Sequence, residues 1–172
     1  MKKIILATLV SSAMSASVLA ADAGQGTVTF EGSIIEAACG ISPESTDQTV
    51  NLGQVASATL ADGGMSRPVP FTIELVDCDT TTWDTAEVTF TGGVNPNLAN
   101  SLAIQGTASG AGVVITGLDA VPVKLDGSAS AGSVALQNGD NSLLFSAYLK
   151  GDTTTIVPGA FTALTNFTMS YN

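Results

Sequence analysis

The side chains that could do chemistry in this chain are two cysteines and a set of carboxylates, because the sequence contains no histidine. Without histidine, neither a Ser-His-Asp nor a Cys-His arrangement can be assembled. Asp77 and Asp79 flank Cys78 and could be imagined as a calcium pair or a general acid–base pair. On a strand, however, both would face one side, and we interpret them as solvated or turn-capping groups. We expect no catalytic residue and no metal site.

Three further motifs have weak chemical content. Gly24-Gln25-Gly26 begins a G-x-G pattern, but no third glycine or helix follows, so a nucleotide loop is excluded and no cofactor is expected. Asn166-Phe167-Thr168 matches a glycosylation sequon, which we interpret as a coincidence within a strand. Trp83 could stack on a sugar, although partial burial is the default for a single tryptophan.

The first residues read as an export signal. Lys2-Lys3 supply the positive region, Ile4 to Val10 begin a short apolar core, and Val18-Leu19-Ala20 gives a small-x-small cleavage pattern. Cleavage between Ala20 and Ala21 would leave a mature chain of one domain outside the cytoplasm. In an oxidising compartment two cysteines usually pair, and we predict a structural disulfide between Cys39 and Cys78.

The charge balance excludes one class of partner. The chain has five basic and fifteen acidic residues, with a formal net charge of −10, and the signal takes Lys2 and Lys3. Nucleic acid binding requires clustered Lys and Arg to neutralise phosphates. Nucleic acid is therefore not an expected partner.

The elements that must position these groups are predicted to be strands. Short runs rich in Val, Ile, Thr and Phe alternate with Gly, Asn, Asp and Pro, and no convincing amphipathic helix or repeat is present. This pattern favours a sandwich of two antiparallel sheets. The predicted strands are Thr27 to Ala37, Thr49 to Gln54, Val69 to Val76, Ala86 to Thr91, Leu102 to Gln105, Val113 to Thr116, Val121 to Leu125, Ser142 to Leu149 and Phe161 to Tyr171.

The N-terminal strand pattern has an unusual member. Val28, Phe30, Gly32 and Ile34 recur at every second residue with polar residues between them, as in a half-buried strand. Glycine weakens a strand interior unless another backbone must approach closely there. Gly32 therefore needs a structural reason.

The C-terminal pattern also needs an explanation. Phe161, Phe167, Met169 and Tyr171 share one parity, and the pattern slips at Leu164-Thr165, where a bulge or bend is expected. Termini are usually disordered unless they are tied down. Something is therefore expected to cover this strand and to pair with it.

The chain resembles the subunits of chaperone–usher pili, especially the major subunits of type 1 and P pili. The resemblance spans essentially the whole mature chain and depends on several short motifs taken together. These motifs are Gly24 to Gly32 (GQGTVTFEG), Ala37-Ala38-Cys39, Asp47 to Val55 (DQTVNLGQV), Leu75 to Thr80 (LVDCDT), the penultimate Tyr171, and Gly159, which is fourteenth from the C-terminus.

The resemblance implies an all-β, incomplete immunoglobulin-like sandwich that lacks its last strand and is completed by donor-strand complementation. It implies a signal peptide at 1–20, a donor extension at 21–34 and a pilin domain at 35–172. The donor strand would present Val28, Phe30, Gly32 and Ile34. The acceptor groove and C-terminal strand would contain Gly159, Phe161, Phe167, Met169 and Tyr171, and Asn172 would carry the carboxylate that a chaperone anchors.

The implied partners are neighbouring copies of the chain, other pilins, a periplasmic chaperone and an outer-membrane usher, with export through the periplasm to the cell surface. The expected function is that of a structural subunit, the major shaft pilin, which supports cell adhesion. Three alternatives stay open: a minor adaptor pilin, a terminator, and an exported carbohydrate-binding β-sandwich. A terminator typically lacks an N-terminal extension, which this chain has.

Overall fold

A computed structural model describes residues 26–172, and the predicted signal peptide, the Ala20–Ala21 cleavage site and residues 21–25 lie outside the described residues. Ile35–Asn172 forms one compact unit. Residues 26–34 lie outside that unit and form neither helix nor strand. Within the described range no helix has the length and apolarity needed to cross a membrane.

The regular secondary structure of the compact unit consists almost entirely of antiparallel strands. They are β1 Gly40–Ile41, β2 Val69–Cys78, β3 Thr85–Gly92, β4 Leu102–Ala103, β5 Gln105–Gly106, β6 Ala111–Thr116, β7 Ser133–Ala135, β8 Gly139–Gly151, β9 Phe161–Thr162 and β10 Thr165–Tyr171. Helix is confined to single turns at α1 Pro43–Thr46 and α2 Ser57–Leu60 and a 3₁₀ turn at Ala61–Gly63. The predicted all-β fold class is confirmed.

The strands form two main sheets and one small one. The first has the order β1-β2-β8-β6-β4, the second β10-β3-β7, and β5 pairs with β9 alone. In the first sheet Phe71 lies opposite Phe145 in the β2–β8 register. In the second sheet β10 follows β3 from Thr165 opposite Gly92 to Tyr171 opposite Ala86.

The core lies between the two main sheets because alternate residues of each long strand point inward. Ile73 and Leu75 of β2, Val88 and Phe90 of β3, and Leu143 and Phe145 of β8 are all buried. The rings of Phe90 and Phe145 meet edge to face with their centroids 5.3 Å apart. This contact joins the two sheets, in the manner of an immunoglobulin-like sandwich.

Three predicted strands are wrong in the residues described. Thr27 to Ala37 contains no strand, Thr49 to Gln54 is irregular, and Val121 to Leu125 makes only an isolated bridge, between Pro122 and Thr116. A strand needs a hydrogen-bonded neighbour, and alternation of side chains alone does not supply one. The slip at Leu164-Thr165 is matched by a break, since β9 ends at Thr162 and β10 begins at Thr165.

Candidate functional site: a long apolar groove

A groove of about 1220 Å³ lies between the two sheets of the compact unit. Its floor consists mainly of core side chains from both sheets, including Phe71, Ile73, Phe90, Leu102, Val113 and Leu149. A groove lined in this way offers little to a charged or hydrogen-bonding ligand. It suits an apolar occupant.

One wall of the groove is the C-terminal segment, and it is open along one edge. β10 is bonded to β3 along its other edge, and no described strand pairs with the edge that faces the groove. Phe167, Met169 and Tyr171 are half-buried and pack against the core, whereas Thr168 and Ser170 are exposed. The sandwich is therefore incomplete beside β10, and an unpaired main-chain edge lies next to an apolar trough.

The opposite wall is the irregular segment 47–55. Leu52 and Val55 pack against the core, and the Gln48 side-chain amide donates to the carbonyl oxygen of Thr72 (3.3 Å). The sequence predicted a strand here, but this segment has no strand partner among residues 26–172. Its residues line the groove together with residues of β9 and β10, and a strand inserted into the groove could supply that partner.

The lining of the groove includes residues of a clasp of two backbone segments, which we define as residues 105–110 and 155–162. β5 and β9 pair there, and the Thr107 and Ala108 amides both donate to the Ala160 carbonyl oxygen at 2.9 and 3.1 Å. A Cβ atom at Gly159 would lie 2.4 Å from Thr107 Oγ1 and 2.6 Å from the Ala108 nitrogen. Gly159 is among the residues that line the groove, and its close contact with Thr107 and Ala108 leaves no room for a side chain.

The disulfide joins Cys39 and Cys78, as the sequence predicted, with an S–S distance of 2.09 Å. It ties the segment that follows Ile35 to the end of β2. The Tyr171 hydroxyl lies 3.4 Å from the Cys39 carbonyl oxygen, and burial raises the pKa of Tyr171. Asn172 is exposed, and its carbonyl oxygen accepts hydrogen bonds from the Asp84 and Thr85 amides.

The predicted donor residues are not engaged in the described structure. Val28, Phe30 and Ile34 are 73, 90 and 104% exposed. A Cβ atom at Gly32 would meet nothing within 4 Å. The isolated chain therefore gives no reason for large apolar side chains, or for glycine, at these positions, and their role as a donor strand stays a prediction.

One of the carboxylates beside the disulfide, that of Asp79, caps a turn. Asp79 Oδ1 accepts a hydrogen bond from the Thr81 amide at 2.9 Å, and the Thr81 side chain and amide together lower the pKa of Asp79. Within residues 26–172, no group of three or more Asp, Glu, Cys or His side chains is placed so that it could hold a metal ion. Asp79 and Thr81 therefore stabilise a loop. The geometry of the groove, by contrast, indicates a site for packing apolar side chains.

Comparison with known proteins agrees with this geometry. The model of the family described as "Fimbrial protein" matches residues 28–172. The Fimbria A protein of Serratia marcescens is 47% identical over 99% of this chain and 98% of its own length. The Major MR/P fimbria protein of Proteus mirabilis is 45% identical over 93% of this chain and 91% of its own length.

Solved structures show the same relationship. The P pilus rod subunit PapA has 31% sequence identity and a TM-score of 0.71, covering 79% of this chain and 100% of its own. A chain in the structure of a chaperone–usher pilus has 33% identity and a TM-score of 0.77, and the match covers 87% of this chain and 97% of that one. The family is one of structural pilins. The chain belongs to the fimbrial protein family and is a subunit of a cell-surface fimbria of the chaperone–usher class.

Proposed function

We propose that this subunit polymerises by donor-strand exchange, in which residues 21–34 of one copy fill the groove of the next. The observation that carries the proposal is the unpaired edge of β10 beside an apolar groove of about 1220 Å³. Strand addition at such an edge supplies main-chain hydrogen bonds, while pockets for alternate side chains fix the register.

The N-terminal segment has the composition that this groove requires. Val28, Phe30 and Ile34 are exposed, and because their spacing is even they would share one face of an extended donor strand. Burying three such side chains at about 1.5–3 kcal/mol each would contribute roughly 5–9 kcal/mol before the ordering entropy is subtracted. This is comparable with the whole stability of a small domain. An unfilled subunit is therefore expected to be marginally stable and prone to aggregate.

This instability implies assistance before assembly. A periplasmic chaperone would fill the groove temporarily with one of its own strands and would anchor Asn172, which is exposed. An outer-membrane usher would then exchange that strand for the extension of another subunit. Because donor and groove belong to one chain and act between copies, the contact is head-to-tail and produces an open filament.

We further propose that the chain is the major shaft subunit and that the fibre supports cell adhesion. The relatives at 45% and 37% identity are described as a major fimbria protein and a major pilin protein. These names favour the shaft over an adaptor, and the N-terminal extension argues against a terminator.

The test is deletion of residues 21–34 with the signal sequence retained. We expect the shortened subunit to reach the periplasm and bind the chaperone but to form no fibres, as seen by electron microscopy of sheared cells. A synthetic peptide of residues 24–36 should raise the melting temperature of the shortened subunit, because it fills the groove in trans.

The matched control changes only the polar face of the same segment, with Thr29→Ser and Ser33→Thr. These substitutions leave the apolar residues in place, and fibres of normal length should form. If the deletion strain makes fibres of normal length, or if the peptide has no effect on melting, the proposal is wrong.

A further inference from the structure

Two of the long strands that line the groove, β10 and β2, have an unpaired edge. Phe71 and Ile73 of β2 line the groove together with residues 165–167 of β10. One edge of β2 pairs with β8, whereas on the other edge β1 pairs with only two residues. We define the rest of that edge, from Val69 to Glu74, as the outer edge. A strand that enters the groove therefore has two edges with which it could pair.

The main-chain groups of the outer edge follow from the pairing of β1. The main-chain groups of a strand point alternately to its two sides. The Ser42 amide donates to the Glu74 carbonyl oxygen at 2.9 Å and so continues the β1–β2 register, which means that Glu74 faces the outer edge. Thr72 and Pro70 lie two and four residues earlier and face the same way. The groups available on the outer edge are therefore those of Pro70, Thr72 and Glu74.

Side chains occupy two of these groups. The chain leaves the sheet after Ser42, whose carbonyl oxygen accepts the Ser45 amide at 2.9 Å at the start of α1. The Glu74 amide donates instead to the Ser45 hydroxyl oxygen at 2.9 Å, and Ser45 is 3% exposed. The Thr72 carbonyl oxygen accepts the Gln48 side-chain amide at 3.3 Å. Ser45 and Gln48 thus take hydrogen bonds that a neighbouring strand would need.

Proline removes a further hydrogen bond from the outer edge. Pro70 has no N–H group, so a strand lying alongside finds no donor at this position. Within a sheet, proline is confined to places where the missing donor faces away from a paired strand. Pro70 meets this condition, because β8 pairs with β2 on the opposite side.

The groove edge of β10 has none of these features. The Asn172 amide donates to the Thr85 carbonyl oxygen at 3.0 Å, and the Thr85 amide donates back at 3.1 Å. By alternation, the main-chain groups of Phe167, Met169 and Tyr171 face away from β3 and toward the groove. β10 contains no proline, and no described strand pairs with this edge.

We propose that Ser45, Gln48 and Pro70 close the outer edge of β2 to strand addition and so direct an incoming donor strand to β10. This inference rests on the proposed donor-strand exchange, which supplies the incoming strand. Natural sheets commonly protect an edge with proline or with a covering loop. Here the protection decides which of the two sheets receives the added strand.

The test locates the edge with which a donor strand pairs. It measures amide hydrogen exchange of the full-length mature subunit with the synthetic 24–36 peptide in excess. In the wild type, the peptide should slow exchange at the Phe167 and Met169 amides at least about tenfold. Exchange at the Thr72 amide should not change, and native mass spectrometry should count one peptide per subunit.

Gln48→Ala with Pro70→Thr opens the outer edge and leaves the core intact, because both side chains are exposed. The first change frees the Thr72 carbonyl oxygen, and the second supplies an amide donor in a residue favoured in strands. The peptide should now slow exchange at Thr72 at least about tenfold as well. A second peptide should bind, and adding Ser45→Ala should increase the occupancy of this second site.

The matched control is Gln137→Ala with Pro96→Thr, which makes the same two exchanges at exposed positions outside the strands. The control should bind one peptide and leave exchange at Thr72 as it is in the wild type. Thermal unfolding of both double variants, with the peptide present, checks that each keeps its fold.

The possible failures are distinguishable. Slower exchange at Thr72 in the wild type, or a single bound peptide and unchanged Thr72 exchange in the Gln48/Pro70 variant, overturns the closed edge and leaves donor-strand exchange intact. Equal occupancy with and without Ser45→Ala removes Ser45 from the assignment. Failure of the peptide to slow exchange in β10 of the wild type overturns donor-strand exchange itself.

Discussion

Gly159 allows the two segments of the clasp to approach closely because it has no side chain. The backbone there is not in the left-handed region, so alanine is allowed by its torsion angles. Its Cβ atom would nevertheless lie 2.6 Å from the Thr107 carbonyl carbon and from the Ala108 nitrogen. The obstacle is backbone, and backbone can yield only if the clasp opens.

We therefore expect Gly159→Ala to lower the free energy of unfolding of the subunit by about 1–3 kcal/mol, as overpacking usually does. Because residues of the clasp line the groove, the variant should also bind the 24–36 peptide more weakly. Urea unfolding and peptide titration check both effects.

The matched control is Gly93→Ala, since Gly93 is exposed and a Cβ atom there would meet nothing within 4 Å. This change should alter the free energy of unfolding by no more than about 0.5 kcal/mol. Equal stability of the two variants would show that the clasp does not depend on glycine.

In residues 26–34, the alternation of apolar and polar residues can form a buried face only against a partner strand. Gly32→Leu should leave the isolated subunit as stable as the wild type, because Gly32 lies outside the compact unit. In the filled groove the leucine would meet the floor, and a loss of at least about 1.4 kcal/mol would weaken peptide binding tenfold.

Peptides of residues 24–36 with and without the substitution test this prediction by isothermal titration. Ser33→Leu is the control, because the neighbouring side chain of an extended strand points to the opposite face. Comparable weakening by both substitutions would mean that the register assigned to the donor strand is wrong.

Alternation predicted the long elements well, and it failed where a strand depends on a distant partner. β2, β3, β8 and β10 were found because each buries one face, and a period of two marks such strands directly. Thr49 to Gln54 has the same period, but it borders the groove and has no neighbour in the described residues. Whether this segment pairs as a strand depends on the rest of the fold, and the sequence of these six residues does not contain that information.

At the scale of the whole molecule, Asp152 shows how acid should affect the subunit. It is 5% exposed, and its Oδ1 accepts hydrogen bonds from the Thr154 amide (3.0 Å) and hydroxyl. Burial raises the pKa of Asp152, but hydrogen bonds from Thr154, Asn97 and Asn95 outweigh it and leave the pKa below its ordinary value.

A carboxyl whose pKa is lower in the folded state stabilises the fold above the unfolded-state pKa of about 3.9. That contribution is lost as the pH falls through the lower folded-state pKa. Asp152→Asn should therefore reduce the loss of stability between about pH 4 and pH 2, and it should cost about 1 kcal/mol at pH 7. Urea midpoints measured across this range test the prediction, and parallel curves for the two proteins would contradict it.

The candidate site was only partly readable from the sequence. The apolar parity of Phe161, Phe167, Met169 and Tyr171 indicated a strand that needs a cover, and these residues do lie on the inner face of the C-terminal segment. The contact of Gly159 with Thr107 joins positions far apart in the chain. No local pattern reports such contacts.

The position of residues 26–34 outside the compact unit has a genetic consequence. Under donor-strand exchange, a substitution in this segment leaves the fold of its own molecule intact and impairs the neighbour that receives the strand. A substitution in the groove impairs the molecule that carries it. In cells that express two alleles, a copy with a faulty groove could still donate its own strand, so it would join a growing chain and end it, whereas a copy with a faulty donor strand would not be added.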